Sequence, residues 1–269
     1  MIFEMFQYPF MQRALFVGLF VAICAALVGV SLVLRKNSMI GDGLSHTAFS
    51  AFALATVFGF APLFFALPIV ILASFFVLRL SRNRKIHGDA AIAVLSASSL
   101  ALGTFAISVS KGVNIDLNSY LFGSILSVSW MDVWLSAGLA ALVVLLYSFA
   151  YHRIFAITFD EEFARSVGVR TGLYDAIFSA ICSVVIVLGM RLLGSILISS
   201  MIIFPTLTAM RLAKTFKGVV ATSVVISALA FIVGLVLSYV CAAPTGATVV
   251  LVNLVALILA ILLEKIRKV

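Results

Sequence analysis

Apolar runs long enough to cross a hydrocarbon layer follow one another almost from end to end of this chain. A helix rises about 1.5 Å per residue, so roughly 20 residues span the apolar thickness of a bilayer. The sequence offers such stretches at Ala14 to Leu34, Gly41 to Phe60, Leu63 to Leu80, Ala90 to Val109, Val133 to Tyr151, Leu173 to Met190, Gly194 to Met210, Val219 to Val240 and Ala247 to Leu263. That gives about nine spans, eight to nine in all. The runs are continuously apolar, whereas barrel strands alternate apolar and polar positions. The expected fold class is therefore all-α, a polytopic integral membrane protein. Composition agrees, because 64% hydrophobic and 10% charged residues exceed what one soluble core can hide.

The net charge of +8 does not point to nucleic acid, because the Lys and Arg residues sit between spans rather than in one patch. They report topology. With "SRNRKIH" on the cytoplasmic side, nine spans place Arg35, Lys36, the 152–171 loop, Arg211 to Lys217 and Lys265 to Lys268 on that side. Arg13, Lys111 and Arg191 then fall outside, as does the N-terminus. The first thirteen residues carry Glu4 before Arg13 and lack the basic start of a signal peptide, so the first run is expected to be a retained helix. Cys24, Cys182 and Cys241 show no C-x-x-C spacing and read as small buried hydrophobes.

No linker or low-complexity segment interrupts the series, so residues 1–269 are expected to form a single membrane domain. The chain carries neither a G-x-x-x-x-G-K-[ST] phosphate loop nor an H-E-x-x-H pair. Active transport would draw its energy from a partner or an ion gradient.

Against this apolar background "IGDGLSHTAF" stands out. Asp42 and His46 are four residues apart and share a helix face one and two turns into the second span, with Ser45 beside them. A carboxylate in the bilayer is expensive and must face a polar cavity or a partner. Carboxylate plus imidazole is a mixed ligand set that suits zinc or manganese. The same two residues would also satisfy each other or cap the helix, and a metal would need further ligands from elsewhere.

Two other segments are chemically distinct. In "LLGSILISSMIIFPTLTAMR" the small or hydroxylated Gly194, Ser195, Ser199, Ser200, Thr206 and Thr208 precede or follow Pro205, which removes a backbone donor. Such a helix packs closely or lines a pore. In "ITFDEEFARSVGV", Asp160, Glu161, Glu162 and Arg165 stand among Phe159, Phe163 and Val167. The i, i+4, i+8 spacing of those three apolar residues predicts one stripe of a short amphipathic helix, lying on the membrane or docking into a protein. In "KIHGDAAIA", Asp89 is favourable at a helix N-terminus and His87 reads as a loop residue.

Together these stretches resemble the membrane-spanning permeases of the metal-ion ABC importers, the zinc, manganese and iron branch. "LRKNSMIGDGLSHTAF" looks like that family's second-span signature, "HGDAAIAVLSASSLALG" its fourth-span opening and "YLFGSIL" its segment before the fifth. "TFDEEFARSVGV" looks like the coupling region, "LLGSILISSMIIFPTLTAMRL" the glycine-to-proline span and "APTGATVVL" the last-span opening. Gly43 and "TAFSAFALA" depart from the alanine and leucine-proline-glycine pattern of members associated with manganese.

The resemblance implies a permease of the metal/vitamin B12-like type in a prokaryotic plasma membrane, surrounded by lipid. It would pair with a second copy of itself, bind cytoplasmic ABC ATPase subunits and receive metal from an extracellular metal-binding protein. It would not itself be an enzyme and would hold no permanent cofactor; zinc first, manganese second, would be its cargo. Asp42 and His46 would line the metal pathway, with Ser45, Gly194, Ser199 and Pro205 as pathway or gating residues. Phe159, Asp160, Glu161, Glu162, Phe163 and Arg165 would dock the ATPase. The alternative is a proton-driven secondary metal transporter with Asp42 and His46 as its relay. An intramembrane enzyme is disfavoured, since one histidine and one aspartate leave too few groups for a catalytic set.

Overall fold

Within a hydrocarbon layer each segment must satisfy its own backbone polar groups, and every regular element among the described residues is a helix. This computed structural model describes residues 5, 7–81, 88–110, 123 and 128–267. "SRNRKIH" beyond Ser81, Lys111 and all of "YLFGSIL" except Gly123 lie outside them. The helices are α1 (Pro9–Leu34), α2 (Met39–Phe58), α3 (Pro62–Ser81), α4 (Gly88–Val109), α5 (Trp130–Phe159), α6 (Glu161–Ser166), α7 (Thr171–Leu193), α8 (Ser195–Leu212), α9 (Phe216–Cys241) and α10 (Thr245–Arg267).

Eight of these are long and apolar enough to cross a membrane. The long helix that falls short is α2, at 20 residues, because Asp42, Ser45, His46, Thr47 and Ser50 dilute its apolar content. The fold compensates by burying 13 of those 20 residues among α3, α4, α7 and α8.

Close contacts give the relative directions. Gly41 faces Ile202 and Ser45 faces Ser199, so α2 and α8 run antiparallel. Gly43 meets Ile92, Thr47 meets Ser99 and Gly103 meets Phe49 and Ser50, so α2 and α4 run parallel, with α3 returning between them. Helix α1 packs on α5, α7, α8 and α9. Apolar surface does not drive helices together inside lipid, so small residues and interhelical hydrogen bonds carry much of this packing. Ser227 Oγ donates to the Ala22 carbonyl at 2.9 Å, and the Tyr147 hydroxyl on α5 donates to the Leu27 carbonyl at 2.5 Å. Cys24 and Cys182 are buried free thiols, as expected, whereas Cys241 is exposed.

The charges collect at two ends. Arg35 at the end of α1 bonds Glu161 and Asp175 near the starts of α6 and α7. Phe159 at the end of α5 meets Phe216 at the start of α9, and Arg211 pairs with Glu264 at the ends of α8 and α10. Arg191 pairs with Asp132 at the other end of α7, where α5 begins. Asp89 lies in the first turn of α4, where a negative charge meets the helix dipole favourably.

Gly29 of α1 sets the closest approach to α8, since a Cβ there would lie 2.0 Å from the Ile202 carbonyl oxygen. A methyl at this point must push two backbones apart, at a cost of about 1–3 kcal/mol or more. A Cβ on Gly138 of α5 would meet nothing within 4 Å. We expect Gly29→Ala to lower the detergent-solubilised melting temperature clearly and Gly138→Ala to leave it unchanged or raise it; thermal unfolding by intrinsic fluorescence measures both.

Candidate functional site

Asp42 sits in the first turn of α2 and His46 one turn further on. Their i, i+4 spacing brings His46 Nε2 to 3.7 Å from Asp42 Oδ2. That separation is too long for a hydrogen bond. It does suit two donors to one ion, because two metal–ligand bonds of about 2.1 Å span at most about 4.2 Å.

Helix α8 supplies the facing wall. Gly194, with φ 90° and ψ 159°, turns the chain between α7 and α8 in a conformation that only glycine adopts readily. The turn sends α8 back along α2. Ser45 Oγ then lies 3.1 Å from Ser199 Oγ, and each hydroxyl also reaches a helical carbonyl, Ser45 to Asp42 at 2.8 Å and Ser199 to Ser195 at 3.0 Å. A hydroxyl has one proton, so only one of the pair donates across the gap while the other keeps its carbonyl. Both retain lone pairs.

Between these walls is a cavity of about 270 Å³, lined by Asp42, Ser45, His46, Ser195, Ser199 and Ser200, with apolar cover from α8 and Val250 of α10. Three buried side-chain polar atoms among the described residues lack a hydrogen-bond partner: His46 Nδ1, Ser195 Oγ and Asn253 Oδ1. The first two belong to residues lining this one cavity. Among the described residues no three of His, Cys, Asp and Glu cluster; hydroxyls, carbonyls, water or another chain would complete any coordination here.

The structure thus brings together four residues singled out from sequence, Asp42, Ser45, His46 and Ser199. Gly194 shapes the turn behind them. Pro205 stands inside α8 beyond the cavity lining, where its missing N–H leaves the Met201 carbonyl without a helical donor. Sequence reasoning did not place Ser195 and Ser200 in the site. The signal was present for Ser195, which is i, i+4 to Ser199 and so shares its face.

The acidic segment differs from expectation. Phe159, Phe163 and Val167 do not form one helical stripe: Phe159 ends α5, Asp160 breaks the helix with φ −150° and ψ 97°, and α6 starts at Glu161. The break has a local cause. Asp160 Oδ1 accepts the Phe163 N–H at 2.8 Å, an N-cap that begins a new helix where the old one would have continued. Arg165 Nη2 donates to Glu161 Oε1 at 3.0 Å within α6. Phe159, Phe163 and Val167 are each well over half exposed, while the buried Ala164 seats the short helix on the bundle.

Known proteins share this architecture. Residues 7–264 match the ABC 3 transport family. The chain is 32% identical over 247 residues to the manganese import system permease protein ScaB of Streptococcus gordonii, covering 92% of this chain and 88% of that one. It is 26% identical over 249 residues to the manganese transport system membrane protein MntC of Halalkalibacterium halodurans, covering 93% and 85%. The solved structure of PsaBC from Streptococcus pneumoniae in complex with Fab matches with a TM-score of 0.85 at 31% identity, over 97% of this chain and 95% of that one. The chain belongs to the ABC 3 transport family.

Proposed function

We propose that this chain is the permease of an ATP-driven importer that carries a divalent transition metal past Asp42 and His46. The observation that carries the reading is the approach of His46 Nε2 to Asp42 Oδ2, 3.7 Å apart on one wall of a cavity whose other wall bears serine hydroxyls. A closed cage of four strong ligands would trap an ion. A carboxylate, an imidazole and several weak hydroxyl donors hold one loosely enough to release it.

We place manganese ahead of zinc, reversing the order expected from sequence. Oxygen donors suit manganese while imidazole suits zinc well, and the cavity offers one imidazole against a carboxylate and four serine hydroxyls. Relatives over nearly the whole chain bear manganese names. The working unit in this reading is two copies of the permease in the bacterial plasma membrane, two cytoplasmic ATPases and an extracellular metal-binding protein. ATP binding closes the ATPases, the α6 segment passes on the motion, and the helices around the cavity open alternately to the two sides.

Vesicles containing the permease, its ATPase and its binding protein test this with labelled metal and internal ATP. His46→Ala is expected to reduce uptake to background while the ATPase still co-purifies. Undiminished uptake would remove His46 from the pathway, and uptake by the permease alone under a pH gradient would favour proton-driven transport.

Docking makes a separate expectation. Phe159 and Phe163 present apolar rings beside Glu161 and Glu162 on the same exposed end. Reversing both glutamates together with Phe163→Ala should abolish ATPase co-purification without altering metal binding to the permease. Unchanged co-purification would put the docking surface elsewhere.

A further inference from the structure

We infer that Arg35 is a positioning residue that joins the α6 segment to the start of the site helix α2. The inference rests on the docking of an ATPase at α6 proposed above.

The geometry is a chain of charges graded by depth. Arg35 Nη1 donates to Asp175 Oδ1 at 2.7 Å and Arg35 Nη2 to Glu161 Oε2 at 3.4 Å, while the other Glu161 oxygen accepts from Arg165 at 3.0 Å. Side-chain exposure rises along the series, 6% for Asp175, 16% for Arg35, 31% for Glu161 and 64% for Arg165. One end is therefore fixed in α7 and the other meets solvent at the proposed docking surface. From the end of α1 the guanidinium holds α6 and α7 at once, which its fork of donors permits and a single ammonium does poorly.

The corner after Arg35 makes the link mechanical. Lys36 adopts φ 60°, its N–H bonds the Val33 carbonyl at 3.0 Å, and the Asn37 N–H bonds the Leu32 carbonyl at 2.8 Å. These two bonds close α1 in a Schellman turn. The Asn37 carbonyl in turn accepts from Ile40 N–H at 3.1 Å, so α2 begins with almost no slack between the helices. Asp42 is seven residues beyond Arg35. A displacement of Glu161 relative to α7 loads the guanidinium, the stiff α1–α2 corner and then the helix bearing Asp42 and His46.

The test uses the assembled importer in vesicles and reads metal ions carried per ATP hydrolysed. Arg35 lies outside the proposed docking surface, and Arg35→Lys keeps a cation near Asp175 but cannot span both carboxylates well. The variant is expected to co-purify with the ATPase as wild type does and to hydrolyse ATP, with ions per ATP reduced about fivefold, the scale of one net hydrogen bond. A wild-type ratio in Arg35→Lys would overturn the inference. Loss of the ATPase or of ATP hydrolysis from Arg35→Lys would also overturn it, making Arg35 a structural contact rather than a coupling one. An ATPase that fails to bind even the wild-type permease would instead defeat the underlying docking reading.

Discussion

A carboxylate and an imidazole within a membrane helix need a polar setting, and the helices around α2 provide one: the Asp42 and His46 side chains, 40% and 22% exposed, line a cavity that also bears serine hydroxyls. Charged groups at membrane depth cost several kcal/mol unless they face protein or a polar cavity. Asp42 and His46 lie on the long helix least suited to lipid, and that helix is surrounded by four others. The glycines along α2 keep the enclosure tight, bringing Ile202 and Ile92 against its backbone. Serines opposite give the polar face something to meet: without Ser195, Ser199 and Ser200, α8 would present only apolar side chains to a carboxylate.

The same economy governs the ends of the helices. Charged groups there sit beside partners on other helices, so ion pairs join α1 to α6 and α7, α5 to α7, and α8 to α10. Isolated exposed pairs contribute little to stability. The exception is Arg35 with Asp175, where both groups are largely withdrawn from solvent and losing either would strand a buried charge. That pair is the fixed point beside which the exposed acidic segment is held, and it lies at the corner that leads into the site helix.

Much of this was legible in the sequence for definite reasons. Helix positions follow from long apolar runs, and the boundary between the spans ending at Met190 and starting at Gly194 coincides with the turn into α8. Asp42 with His46 stood out because so few charges occur inside spans. The break at Asp160 was not legible, because an i, i+4, i+8 stripe reads the same whether one helix carries it or two, and only the cap to Phe163 distinguishes them. Arg35 was read as a topology marker, since a basic residue at a span end looks alike whether it meets water or Asp175, which is 140 positions away. Ser195 was visible as a small residue, but its place on the cavity depends on how α8 rotates against α2.

Pulsed electron paramagnetic resonance on manganese(II) bound to the reconstituted permease would show whether the proposed ligand His46 holds the ion. The chain has three histidines, and among the described residues His46 is the one that lines the cavity. A hyperfine coupling to an imidazole nitrogen is expected in the wild type and should disappear in His46→Ala. A bound manganese signal with no nitrogen coupling, or one whose coupling survives the substitution, would exclude His46 as a ligand of the ion.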